Sequence, residues 1–436
     1  MKFIADLHFH SKYSRAVSPK MTLENFAIWG KKKGIDILTT TDFTHPLWVN
    51  EIEEKLKEVR KGIFQLKNEE LPKTFFVLTT EVSLIYKQHK IHLVVFSPNL
   101  ETVKKINQTL TKKGFNLTAD GRPILGTTTP NFMKLLGEID KNIFVIPAHI
   151  WTPWFSLFGS RSGFNSIKEC FQKYARKVTA VETGLSSDPL MNWQARELDG
   201  RIITSFSDAH SLENLGREVT FLELPKKFEY NDLITAFKTS YPERVRSKKP
   251  YVISTLEFYP EEGKYHYTGH RKCQVCQSPE ETKRLGTQCP VCGKQLTVGV
   301  AHRVKELSRK EKIKEKEKKE KELKIISHPQ GIHHPFVSLV PLKEIIAEAE
   351  GVGPKTKKVQ KKYDLAIEKL GGEIKILLET PLEKINSILG PKIEEGVRKN
   401  RGGNIFINPG YDGLYGTVKI WPDAESKKQQ KQMSLI

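Results

Sequence analysis

The sequence predicts an α/β chain: a seven-stranded βα barrel followed by a small four-cysteine zinc ribbon and a C-terminal helical domain. Three observations carry this. Residues 1–245 hold seven short β-rich apolar runs separated by longer amphipathic stretches, four cysteines fall in paired spacing between 273 and 292, and helical periodicity returns from 341. At 436 residues the chain exceeds one typical core of about 100 to 200 residues, so several modules are expected. The composition shifts place them at 1–245 (barrel), 246–300 (zinc ribbon), 301–335 (charged linker), 336–425 (helical domain) and 426–436 (flexible tail).

Taken in order, the seven runs are KFIADLHFH, DILTTTDFTH, FFVLTTEV, KIHLVVF, NIFVIPAHIW, VTAVETG and RIITSFSDAH. They are rich in β-branched and aromatic residues, and most end in His, Asp or Glu just where the apolar residues stop. In a βα barrel the carboxyl ends of all strands converge on one rim, so polar residues scattered through the sequence become neighbours there. A doubly wound open sheet is the alternative, because alternation alone does not establish closure.

Cys273, Cys276, Cys289 and Cys292 form CxxC, a twelve-residue gap and CPxCG, a spacing that fits four thiolates around one structural zinc. Such a closed shell leaves no position for substrate and serves to fold a module too small to support itself. Cys170 is left over and is expected to pack. The run SRKEKIKEKEKKEKELKII reads as a helical linker, with disorder as the alternative. Further on, PLKEII at 341–346 is echoed by PLEKIN at 381–386, with GPK following each, the trace of a duplicated helical hairpin.

His8 and His10 lie two apart, so in a strand they project to one face and can grip one ion. Glu81, His92, His149, Asp208 and His210 join them at or near strand ends. Imidazoles and carboxylates crowded on one rim are costly unless paired or metal-bound. Imidazole-rich ligation with carboxylates suits zinc, manganese or iron, zinc first. Seven ligands exceed one tetrahedral shell, so two ions bridged by Glu81 are expected, and two metals about 3.5 to 4 Å apart suit phosphoester hydrolysis. Glu81, Asp208 and His210 are also the catalytic candidates, and Glu182 is expected to orient a ligand from behind.

Lys and Arg outnumber Asp and Glu by 71 to 51, a net charge of +20 that favours a polyanionic partner and makes its binding salt-sensitive. The opening MKFIADLH is too short for a secretory apolar segment, and no run of about 18 apolar residues occurs, so the expected location is cytoplasmic and nucleoid-associated, with no membrane partner.

The motif set DLHFHSKYS, Glu81 with His92, AH at 148–149 and SDAH at 207–210 resembles the polymerase and histidinol phosphatase (PHP) family. That resemblance implies a distorted seven-stranded barrel and a di- or trinuclear centre of Zn or Mn, with His8, His10, Glu81, His92, His149, Asp208 and His210 at ligand positions. Two positions depart from the family: Thr41, Asp42, Phe43 stand where it reads TDH, and Arg15 or Ala16 replaces an Asp or His. A third ion would then need Asp42 or His45; His45 and His89 otherwise read as ordinary loop residues.

The wider combination of DFTHP at 42–46, AHIWTPWFSLFGSRSGF at 148–164, the four-cysteine module and the helical tail resembles the endonuclease Q family. This implies a repair endonuclease that cuts DNA 5′ of deaminated bases (uracil, hypoxanthine, xanthine) or abasic sites. A PHP-type phosphatase for a small phosphomonoester is the alternative, and a non-catalytic DNA-binding protein is a further one.

Several segments are candidates for holding that DNA. Gly351, Gly353, Lys355, Lys357 and Lys358 form a Gly-rich turn before a helix, resembling a helix-hairpin-helix motif whose backbone N–H groups would meet phosphate. Trp151 and Trp154 follow His149 and are expected either to wedge the base stack or to form a lid on the rim. Arg161 is a candidate for neutralising the transition state. Gln432, Leu435 and Ile436 in the terminal QMSLI resemble a sliding-clamp-binding peptide.

Overall fold

Asp36 to Thr39 illustrate how the seven apolar runs become strands: Ile37, Leu38 and Thr39 are wholly buried, with β-forming side chains on both faces of a covered sheet. The strands are β1 (Lys2–Asp6), β2 (Ile37–Thr39), β3 (Phe75–Tyr86), β4 (His89–Ser97), β5 (Phe144–Pro147), β6 (Ala180–Glu182) and β7 (Ile202–Thr204), followed by β8 (Val219–Glu223) and β9 (Tyr251–Glu257). This computed structural model describes residues 1–245, 247–320 and 322–422; the terminal Gln432, Leu435 and Ile436 lie outside them.

The result is a mixed α/β fold with a large central sheet. β1 pairs parallel with β2, and β2 with β3, whereas β4 runs antiparallel to both β3 and β5. The sheet is therefore not the wholly parallel one expected from alternating βα units. The reason is local: only Lys87 and Gln88 join β3 to β4, and a two-residue connection has no room for the crossover helix that parallel strands need. β6 and β7 form a parallel pair, joined to the rest by Ile150 N–H to Glu182 O (3.1 Å), Asp208 N–H to His8 O (2.8 Å) and a bridge between Phe9 and Ala209. These bonds all lie at the carboxyl ends of the strands.

Farther along the chain, β10 (Thr268–His270) and β11 (Val275–Gln277) form the hairpin that carries the first two cysteines. The charged run expected as a helical linker is instead a strand hairpin, β12 (Lys316–Glu320) and β13 (Leu323–Ser327), which β14 (Phe336–Ser338) connects to β9. Leu323, Ile325 and Ile326 pack against the core, and that tertiary gain overrides the helix propensity of Lys and Glu. The lysine-rich β12 forms the outer edge, where like charges discourage further strand addition.

The two echoed segments each open a helix pair. Pro341 precedes a helix at Leu342–Glu350 and Pro381 one at Leu382–Leu389; their partners are Lys357–Leu370 and Pro391–Arg401. The second connection is shorter because Gly390 alone ends one helix and starts the next, at φ +88°. Among the described residues, no helix is long and apolar enough to cross a membrane.

One buried ion pair ties this helical region to the sheet. Lys33 ends the helix Leu23–Lys33, whose apolar face (Leu23, Phe26, Ala27, Gly30) is buried, and its Nζ lies 2.6 Å from Glu373 Oε2, both side chains under 5 % exposed. Tyr363 Oη and Leu342 N–H donate to the same carboxylate. Burial disfavours ionised Glu373, but Lys33 and these donors hold its pKa below the usual value. The pair therefore stabilises the fold at neutral pH, and its contribution is lost as the pH falls through the depressed pKa. Lys33→Met should leave this carboxylate buried without its cation and lower the unfolding free energy by about 3 to 5 kcal/mol, measured by urea titration at pH 7.

Candidate metal centre

Strand register brings the first ligands together. In the β3–β4 hairpin Glu81 faces Val94 and Ser83 faces His92, so Glu81 and His92 are diagonal neighbours on one face, with Oε1 and Nδ1 2.6 Å apart. His149 follows β5 and puts Nε2 3.2 Å from the same oxygen. His8 and His10 extend from β1, held extended by the Phe9–Ala209 bridge, and aim Nε2 at Glu81 Oε1 (3.6 Å) and Oε2 (3.4 Å). Asp208 and His210 follow β7; Asp208 Oδ1 is 3.1 Å from His10 Nε2.

All seven sequence candidates thus meet. Their ligand atoms form three overlapping triads, each with atoms within 4.8 Å of one another: His8/His10/Glu81, Glu81/His92/His149 and His10/Asp208/His210. Glu81 belongs to two triads and His10 to two.

The hydrogen bonds behind the ligands establish that this cluster suits cations. His8 Nδ1 lies 2.9 Å from Glu182, and His10 Nδ1 3.2 Å from Asp42; a carboxylate only accepts, so each Nδ1 carries the proton. In the neutral rings, Nε2 is then a bare lone pair. His8 Nε2, His10 Nε2 and Asp208 Oδ1 are buried and make no hydrogen bond. Lone pairs converging on carboxylate oxygens in a buried site repel one another unless a cation or extra protons intervene. Without ions the balance falls on protons: burial opposes it, but Glu182 and Glu81 raise the pKa of His8, and Asp208 and Asp42 that of His10. Conversely, burial resists ionisation of Glu81, while His92 and His8 draw its pKa well below normal.

Asp42 is not a member of the triads. Its Oδ2 accepts from Ser11 N–H, Ser11 Oγ and Ser14 Oγ at 2.7 to 2.8 Å, and its Oδ1 is turned to His10. With its lone pairs committed, it orients His10 and is corrected here from candidate ligand to support. Glu182 does the same for His8 and also accepts from His149 N–H at 2.8 Å. Beneath, Asp6 accepts from Ser207 N–H, Ser207 Oγ and Gly216 N–H, holding the turn that carries Asp208. His45 stacks on Tyr13 and His89 on Phe164, both apart from the triads.

Backbone strain gathers at the same rim. Asp42, His149 and Asp208 adopt positive φ (42°, 28° and 45°), each costing on the order of 1 to 3 kcal/mol, which redirects the chain as it leaves a strand. Gly184 is required opposite His149: a Cβ there would sit 2.4 Å from that of the histidine.

Arg122 was not singled out by the sequence. Its Nη1 lies 3.3 Å from Glu81 Oε2 with the side chain 24 % exposed, a cation at the mouth of the cluster. Only the DGRP turn around it offered a signal, and that signal is of a turn rather than of a site.

The flanking candidates divide. Trp151 is wholly buried, donates Nε1–H to Asn192 Oδ1 and packs on Phe158, so it cannot reach a ligand outside the protein and is corrected to a core residue. Trp154 is 39 % exposed. Arg161 is exposed but donates to Leu296 O, tying this loop to the cysteine module. In that module the ligand atoms of His270, Cys273, Cys289 and Cys292 lie within 4.8 Å of one another, whereas Cys276 on β11 lies outside that cluster, so the expected set of four thiolates is corrected to three cysteines and a histidine. His270 was missed, although it stands three residues before Cys273. Cys170 is buried, as expected. Gly351, Gly353, Lys355, Lys357 and Lys358 are exposed, with Lys358 paired to Glu350 at 2.5 Å.

Comparison with known proteins places these features in context. Residues 341–404 match the family model of the MJ0043 C-terminal domain. The chain is 34 % identical over 275 residues to the uncharacterized protein MJ0043 of Methanocaldococcus jannaschii, covering 62 % of this chain and 31 % of that protein. The chain thus spans about a third of that relative's length. It is also 28 % identical over 435 residues to the uncharacterized protein YqxK of Bacillus subtilis, covering 96 % and 99 %. Among solved structures, the lesion-specific endonuclease PfuEndoQ from Pyrococcus furiosus superposes with a TM-score of 0.80 at 28 % identity, covering 98 % of this chain and 99 % of that one. Endonuclease Q in complex with a 27-mer duplex substrate, with an abasic lesion at its active site, matches equally well at TM-score 0.80, 28 % identity and 98 % coverage of both chains.

Two variants check the site's construction. Glu182→Ala should free the His8 ring and weaken metal retention by about 10- to 100-fold, read by equilibrium dialysis with elemental analysis. Trp151→Ala should instead act on the core, costing about 3 to 5 kcal/mol of stability by chemical denaturation.

Proposed function

We propose that this chain, which shares the architecture of endonuclease Q along almost its whole length, is a metal-dependent DNA repair endonuclease. It hydrolyses the phosphodiester 5′ of a deaminated base (uracil, hypoxanthine, xanthine) or an abasic site. The observation that carries the reading is the group of three overlapping triads built on Glu81 and His10, with buried nitrogen and oxygen lone pairs that lack partners. The seven candidate strands, joined at their carboxyl ends, are best described as a distorted barrel of the PHP type.

His8, His10, Glu81, His92, His149, Asp208 and His210 would hold two or three zinc or manganese ions, and the module at 270–292 one structural zinc. When bound, such ions lower the pKa of water and stabilise the attacking and leaving oxygens of a phosphoryl transfer. The chain's own residues do the rest. Glu182 and Asp42 fix the ring planes of His8 and His10, keeping their Nε2 lone pairs directed inward. Arg122, partly exposed beside Glu81, neutralises a phosphate oxygen as charge develops. Asp208 and His210, the least buried of the set, stand where substrate enters. Gly351, Gly353, Lys355, Lys357 and Lys358 hold backbone phosphates away from the cut, in the manner of a helix-hairpin-helix turn. The terminal Gln432, Leu435 and Ile436 are proposed to engage a sliding clamp.

Labelled duplexes with one uracil, one hypoxanthine, one abasic site or no lesion provide the test, with histidinol phosphate as a small-molecule control. Cleavage should be confined to lesion-bearing strands, stop with chelator, return with manganese or zinc, and be lost in the His8→Ala/Asp208→Ala double variant. Equal cutting of undamaged duplex, turnover of histidinol phosphate alone, or elemental analysis finding only the one ion of the cysteine module would overturn the assignment.

A further inference from the structure

The turn Gly410–Gly416 takes no part in the metal centre, yet it is pinned on every side. Gly410, Gly413 and Gly416 donate N–H to the carbonyls of Glu261, Lys264 and Glu262 at 2.8 to 2.9 Å. Asp412 accepts from Arg271 N–H at 2.7 Å and from Thr297 Oγ1 at 2.6 Å. The approach is close enough that a Cβ on Gly416 would lie 2.2 Å from Glu261 O, so this position must be glycine. Surface turns of this length are ordinarily loosely held; this one is fixed to the cysteine module by both its main chain and its side chains.

At the tip of this rigid turn stand two large apolar side chains in water, Leu414 at 42 % and Tyr415 at 68 % exposure. Single exposed apolar residues need no explanation, but an adjacent pair on a pinned tip points to a contact surface. The Lys264 ammonium lies 4.5 Å from the Tyr415 ring centroid, and Arg271 and Lys272 are exposed on the neighbouring hairpin. The turn is linked to the candidate metal centre by a chain of contacts. The Tyr265 hydroxyl lies 3.9 Å from the Cβ position of Gly413, and the Tyr265 ring packs edge-on to Trp154 at 5.2 Å. Thr152 Oγ1, which donates to Trp154 O at 2.8 Å, lies 3.3 Å from His149 Nδ1. Through Tyr265, Trp154 and Thr152 this turn is thus connected to the candidate ligand His149.

We infer that Leu414 and Tyr415 form a wedge that enters the base stack of duplex DNA beside the lesion whose backbone lies over the metal centre. This rests on the endonuclease reading above. The chemistry is favourable on both counts: an aromatic face replaces part of the stacking lost when a nucleotide is displaced, and the flanking cations meet the backbone on either side. Rigidity matters because a mobile loop would surrender backbone entropy on insertion, whereas the main chain of this turn is already fixed. A wholly apolar protein partner would not call for the ring of lysine and arginine.

The test uses full-length protein, chelator to prevent cutting, and a duplex with an abasic site next to 2-aminopurine, whose fluorescence rises on unstacking. Wild type should raise the signal, and the Leu414→Ala/Tyr415→Ala double variant should not, with lesion-duplex affinity falling about tenfold. Tyr415→Phe should retain the rise. Zinc content, the melting temperature and affinity for undamaged duplex by anisotropy should match wild type, because both side chains are on the surface. A double variant that unstacks the probe as wild type does, or a wild type that binds the lesion duplex with no rise, overturns the wedge. Failure of wild type to prefer lesion over undamaged duplex would instead sink the endonuclease reading itself, and capture of a protein at this tip with no effect on DNA would assign the surface elsewhere.

Discussion

The Glu81 carboxylate is fully buried, yet it lies within 3.6 Å of nitrogens from His8, His10, His92 and His149 and 3.3 Å from Arg122. An acid removed from water in this way is tolerable only if positive charge is delivered to it from within the fold. These five partners come from four segments: the end of β1, the hairpin strand β4, the loop after β5 and the turn at 120–123. The demand for charge around one carboxylate therefore constrains how all these strand ends must meet, and the strained φ values of His149 and Asp208 mark where the backbone bends to satisfy it.

Around that centre is a layer of residues that stand outside the triads and orient their members. Glu182 and Asp42 each take the Nδ1 proton of a histidine, and Asp42 is in turn saturated by Ser11 and Ser14. The arrangement fixes the tautomer as well as the ring direction, so the inner nitrogens are left as lone pairs. Asp6 has a different job. Its burial pushes its pKa up to about 6 despite hydrogen bonds from Ser207 and Gly216, so part of the cost of holding the Asp208 turn is carried by a reluctant acid outside the site.

The appended modules attach by distinct means. The helical region is joined to the helix Leu23–Lys33 through the buried pair of Lys33 and Glu373. The cysteine module is attached by main-chain carbonyls instead: Arg303 donates to Phe158 O and Phe164 O, and Arg161 to Leu296 O. The loop that follows His149 is thus clamped between the rim and this module, which makes the module part of the wall of the site as well as a folding unit.

Much of this was legible in the sequence, because strand-forming runs, ligand chemistry and cysteine spacing are properties of neighbouring residues. Apolar runs with an imidazole or carboxylate at or near most of their ends already contained all seven members of the triads. What the sequence alone left undecided depends on partners distant along the chain. Asp42 sits at a ligand position by motif but turns to His10 once Ser11 and Ser14 claim its other oxygen. Trp151 reads as a base wedge or a lid on the rim but is swallowed when Asn192 meets its indole. The charged run at 308–326 has the composition of a helix yet becomes a hairpin because an edge and a core surface were waiting for it. Arg122 carried only the signal of a turn, and His270 only its place three residues before Cys273. Residue type and spacing determined which chemistry this protein holds; the tertiary structure decided which side of each group faces inward, because that choice is made by burial and by hydrogen-bond partners that only the folded chain brings together.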